Sequence, residues 1–97
     1  MKNLILPGIV AAGAWLLLSQ PTTEDKRVWL RSLDPNSYTW QQSMNLMTKD
    51  EIDVIYRYMK LTVNAKDDAE LMRLHQEMDP VLRDKAAAIS LKYNLFT

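Results

Sequence analysis

His75 is the chain's one histidine, and Asp79 stands four places after it. On a helix that spacing puts imidazole and carboxylate on one face, where the two could begin a metal site. Such a site needs three or four ligands held by a second shell. The chain has no cysteine and no other histidine to complete one. His75 also falls on an apolar stripe, where a half-buried structural histidine is the expected occupant. No metal and no other cofactor is expected.

Carboxylates are the next chemical candidates. Asp50, Glu51 and Asp53 form one cluster, and Asp67, Asp68 and Glu70 another. Paired carboxylates catalyse acid–base chemistry when one is desolvated. Both clusters fall at helix starts, where acids cap amides and oppose the helix dipole for about 0.3–1 kcal/mol each. Ser19, Ser32, Ser37, Ser43 and Ser90 lack a nucleophile elbow. Glycine occurs only at Gly8 and Gly13, so no phosphate-binding loop of the Walker or dinucleotide type can form later in the chain. The sequence therefore reads as non-enzymatic, with no small-molecule substrate expected.

Aromatic side chains are the third candidates. With Arg31 and Arg57 they could stack on single-stranded nucleic acid. Twelve basic and twelve acidic side chains cancel, however, and they are interleaved, so no field recruits phosphate. No nucleic-acid partner is expected. Aromatics and methionines are also enriched where proteins meet. Trp29, Trp40, Tyr56, Tyr58, Met59, Tyr93 and Phe96 are therefore the candidate interface with other protein subunits.

These residues need elements to position them, and the signals are helical. No stretch alternates with period two, and no Asn-Gly or Asp-Gly pair offers a hairpin. Thr22 followed by Glu24 and Asp25 reads as a helix start, with Val28, Trp29, Leu30 and Leu33 following. Asp34-Pro35 reads as a cap and first helical residue of a short helix presenting Tyr38, Trp40 and Met44. Thr48 and Glu51 have the spacing of a capping box. After it, Ile52, Ile55, Tyr56 and Met59 line one face, and Val54, Tyr58 and Leu61 an adjoining one, a width that predicts contact on two sides. Asn64 reads as the start of the next element. Leu71, His75, Met78, Leu82, Ala86, Ile89, Tyr93 and Phe96 then recur in steps of three and four. That stripe crosses Pro80, which predicts a break or sharp kink with nearly collinear halves. The fold class expected is all-α, with three to five amphipathic helices over residues 21–97.

Residues 1–20 are a separate part. Lys2 is their only ionisable side chain, and residues 4–18 carry no polar side chain except the Trp15 indole. Leu4, Ile5, Leu6, Ile9, Val10, Trp15, Leu16, Leu17 and Leu18 give this part the character of a membrane-anchoring helix, with a lipid bilayer as its partner. Fifteen helical residues cover roughly 22 Å and twenty roughly 30 Å, the thickness of the hydrocarbon core. Gly8 and Ala12, four apart, offer a face on which another helix could pack closely. A secretory signal peptide ending between residues 14 and 20 is the alternative, and would make residues 21–97 a secreted or periplasmic binding module. Burial inside a large protein assembly is the third reading. Lys2 on one flank and Lys26, Arg27 and Arg31 on the other leave the membrane side open. The functional expectation is a membrane-anchored structural subunit of a larger complex, such as a membrane machine or a lipid-containing virion.

Overall fold

A computed structural model describes residues 20–95. The anchor residues of 4–18, the Gly8/Ala12 face and Phe96 lie outside the described residues. The described part is all-helical, with five helices and no strand. They are α1 (Thr23–Leu33), α2 (Tyr38–Leu46), α3 (Lys49–Thr62), α4 (Asp68–Glu77) and α5 (Pro80–Tyr93). No helix among the described residues is long and apolar enough to cross a membrane.

Each helix starts where a short polar side chain takes up an amide that has no partner within the helix. Thr22 caps α1, and its box is closed by Asp25: the Asp25 amide donates to Thr22 Oγ1 at 3.1 Å, and the Thr22 amide to Asp25 Oδ2 at 3.0 Å. Thr48 and Glu51 form the expected box on α3, at 3.2 and 3.0 Å. Asp79 caps α5, with Pro80 in the first turn, so the long apolar stripe is broken at Pro80. Met78, Leu82 and Ala86 nevertheless stay on its buried side.

Two starts differ from the sequence expectation. Asp34 does not open α2; it closes α1, and its carbonyl accepts from the Ser37 amide in a tight turn. Ser37 is the cap of α2, accepting from the Trp40 amide at 3.2 Å. Likewise α4 starts at Asp67 instead of Asn64. The Asp67 carboxylate accepts from the Glu70 amide at 2.8 Å, while residues 63–66 complete the turn out of α3.

The end of α5 is also specified. Asn94 adopts a left-handed conformation, φ 56°, and the Leu95 amide donates to the Ser90 carbonyl at 3.0 Å. Asparagine tolerates that conformation better than most residues with a Cβ. The reversal returns Leu95 to the core.

The core is built from Leu30, Trp40, Met44, Met47, Ile52, Ile55 and Ala86. Helix α3 is its axis and packs against α1, α4 and α5. Lys26 bonds Asp53 and Trp29 meets Tyr56, so α1 and α3 run in the same direction. Lys92 and Tyr93 reach Glu51 at the start of α3, so α5 runs the opposite way. The starts of α1 and α3 and the end of α5 therefore share one pole of the bundle.

Candidate protein interface

Most of the side chains singled out for chemistry are occupied by folding tasks. Glu51 accepts from the Thr48 amide, from Lys92 Nζ at 2.7 Å and from the Tyr93 hydroxyl at 2.6 Å. Burial pushes its carboxyl upward, but those three donors outweigh burial and hold it at about 2. The same contact raises the pKa values of Lys92 and Tyr93, chiefly through their hydrogen bonds to Glu51. Asp53 accepts from Lys26 Nζ at 2.8 Å, and that bond lowers its carboxyl despite partial burial. Asp67 is spent on its cap. No group of three or more metal-ligating side chains gathers among the described residues.

His75 is half-buried, as its place on the stripe predicts. Its Nε2 lies 2.7 Å from the Tyr58 hydroxyl, and the two rings are tilted against each other at 5.6 Å. Burial raises the Tyr58 pKa, so its hydroxyl stays protonated. Asp79, the proposed co-ligand, is turned to the Leu82 amide instead.

The candidate interface residues among those described separate into four groups. Trp29 and Tyr56 meet edge to face at 5.4 Å between α1 and α3. Lys60 Nζ lies 4.7 Å from the Trp29 ring centre and 5.6 Å from that of Tyr56, and Lys26 Nζ lies 5.3 Å from Tyr56. Two cations thus already sit on this aromatic pair. Met59 and Tyr93 are half-buried against the core. Trp40 is a correction: it is 5% exposed, and its Nε1 donates to the Leu30 carbonyl at 2.6 Å. A side chain held inside by that bond has no face left for a partner.

Tyr58 belongs to a different place, a cleft of about 460 Å³ where α3, α4 and α5 meet. Tyr58 and His75 line it together with Arg83, Ala86, Ala87, Ser90 and Leu91. Its polar groups already have partners within the chain. Tyr58 is bonded to His75, Arg83 Nη1 donates to the His75 carbonyl at 3.1 Å, and Ser90 Oγ donates to the Ala86 carbonyl at 2.7 Å. What the cleft offers an occupant is mainly the hydrocarbon of Ala87 and Leu91, since Ala86 is buried in the core. Leu91 is 76% exposed.

Sequence reasoning passed over Arg83, Ala87 and Leu91 because they lie off the inward stripe of α5. The signal that could have found them is a second apolar edge on a helix that one buried stripe had already explained.

No family model, no curated protein and no solved structure matches the chain.

Proposed function

We propose that this chain is a non-enzymatic, membrane-anchored structural subunit that docks on other protein subunits. The observation that carries this reading is the join between its two parts. Residues 4–18 form an uncharged run, and the capping box of α1 begins at Thr22. Only residues 19–22 separate the run from the first helix, a span of at most about 14 Å when extended. A bundle on so short a tether sits against whatever holds the run.

The bundle's own surface supports the protein-docking part. Tyr58, Arg83 and Ser90 are already bonded within the chain, so the cleft lacks the few free polar groups that orient a small ligand in an otherwise apolar pocket. Tyrosine and arginine, here Tyr58 and Arg83, are among the side chains that most often anchor protein association.

The test is flotation of the full chain with liposomes after an alkaline wash, together with sequencing of its N-terminus. The chain should float and retain residues 4–18. Val10→Arg should reduce flotation, since arginine at the centre of a membrane helix costs about 2.5–3.5 kcal/mol. Recovery of a wash-soluble chain beginning near residues 15–21 would replace this reading with the secreted or periplasmic binding module.

A further inference from the structure

We propose that α4 is a hinged strap that opens while the rest of the bundle stays folded, and that His75 is the latch that closes it. His75 is also the one residue that α4 gives to the lining of the cleft. Closing the latch therefore builds the wall that an occupant needs, and opening removes it. That the occupant is a protein rests on the preceding reading; the latch rests on α4 alone.

The first argument is where the polar ties of α4 run. Among the described residues, both hydrogen bonds that join α4 to another helix pass through His75. Its ring Nε2 shares one with the Tyr58 hydroxyl of α3 at 2.7 Å, and its carbonyl accepts from Arg83 Nη1 of α5 at 3.1 Å. That carbonyl lies in the last turn of α4, where the helix itself supplies no donor. The other polar contacts of α4 are local. Arg73 pairs with Glu70 at 3.9 Å and with Glu77 at 2.9 Å, Glu70 accepts from the Lys66 amide at 3.0 Å, and Asp67 caps the start. None of these fastens α4 to α3 or α5.

The apolar ties are equally thin. No residue of α4 is fully buried, and none belongs to the core cluster. Leu71 and Leu74 are half-buried, and Met72 is exposed. Helix α5, by contrast, puts Ala86 into the core and packs Ile89 and Tyr93 against it. Removing α4 therefore leaves the core closed.

Joints stand at both ends. Asp67 and Met78, which flank α4, have extended backbones, and Pro80 opens the next helix. A break in the helical backbone at each end lets α4 leave without unwinding its neighbours. Its ten residues are too few to stay helical alone in water, so the released strap melts. Regions with few buried contacts open in this way at less than the global free energy. An occupant that needs the wall binds the latched form and draws the equilibrium towards it.

Hydrogen exchange of the full chain in mild detergent tests this, because strap and bundle answer to different substitutions. Tyr58→Phe keeps the ring and removes the bond to His75, which should speed exchange of α4 roughly threefold to tenfold. Arg83→Met removes the donor to the His75 carbonyl and should speed it by at least about threefold. Ile52 is fully buried in the core. Ile52→Val should speed exchange of α3 roughly threefold to tenfold while changing α4 by less than about twofold. An α4 that speeds up together with α3 in Ile52→Val would overturn the proposal, since α4 would then open only when the whole bundle does. So would an α4 that either latch variant leaves unchanged. Flotation reads residues 4–18, and no partner protein enters the exchange measurement, so the strap and the preceding reading fail separately.

Discussion

The α1–α2 pair and the α4–α5 pair are both successive helices joined by a short turn, yet they are held by different means. In the first pair each helix supplies donors to the open end of the other. Trp40 and Gln41 of α2 donate to the Leu30, Arg31 and Asp34 carbonyls at the end of α1. Arg27 of α1 donates to the Met44, Asn45 and Met47 carbonyls at the end of α2. Helix α2 has no basic residue in its own last turn, so Arg27 also provides the cation that its negative end lacks. In the second pair α4 has no fully buried residue, and a cleft lies where it meets α3 and α5. The difference teaches that one half of the bundle is closed by its own side chains and the other keeps surface to offer.

The largest expected effect comes from breaking the closed half at Trp40. Trp40→Ala should cost about 3–5 kcal/mol, the range for losing a large buried aromatic. Urea denaturation read by circular dichroism would measure it. Trp40→Phe keeps most of the volume and removes the donor to the Leu30 carbonyl, and should cost about 1–3 kcal/mol. A neutral Trp40→Phe would show that packing alone holds the hairpin.

Arg27 comes next. Arg27→Met keeps the aliphatic stem and deletes the donors at the end of α2, for about 1.5–3 kcal/mol, the worth of hydrogen bonds from a charged group. The matched change in the open half is Arg73→Met, which removes exposed pairs with Glu70 and Glu77. That change should stay within about 0.5 kcal/mol. Equal losses at the two arginines in the same denaturation assay would abolish the distinction between the halves.

A smaller effect concerns the contact that fastens α5 to α3. The Glu51 carboxyl is lowered from an ordinary 4.5 to about 2, so its contribution is fully present above 4.5. It fades as the pH falls from there towards 2, because the unfolded chain takes up the proton first. Glu51→Gln keeps an acceptor for the Thr48 amide but removes the charge paired with Lys92, and should cost about 1 kcal/mol at neutral pH. It should also flatten the fall in stability over that acid window. An unchanged acid profile would mean that Lys92 and Tyr93 do not hold the carboxylate in solution.

The bundle was only partly legible in the sequence. Thr48 and Glu51 were readable because a capping box is local and its spacing is fixed. The inward stripe through Met78, Leu82 and Ala86 was readable because helical periodicity survives a proline break. Ser37 was missed because Asp34-Pro35 is the stronger local signal, and what displaced it is tertiary: Trp40 and Gln41 reach the end of α1 from a helix begun at Ser37. Arg27 was counted only as a flanking charge, since nothing near it reveals that its partners lie 17 to 20 residues away. Trp40 was assigned to an interface because composition does not separate a core tryptophan from a surface one. The cleft was illegible for a related reason. Tyr58, His75 and Leu91 come from three helices whose mutual angles no local pattern encodes.

The smallest expected effect tests the open half itself. Met72 on α4 is 64% exposed and belongs to no core cluster. Met72→Ser should therefore change stability by no more than about 0.5 kcal/mol, as surface substitutions do. Its use lies in pairing that result with native-state hydrogen exchange. Helix α3, with Ile52 and Ile55 fully enclosed, should exchange only through global unfolding, whereas α4 should open locally at lower free energy. If α4 is the outer wall of a docking surface, that local opening should slow when a partner protein occupies the cleft, and Met72→Ser should leave the slowing intact because Met72 does not line the cleft. Protection of α4 equal to that of α3 in the isolated chain would mean that the half read as open is already closed from within.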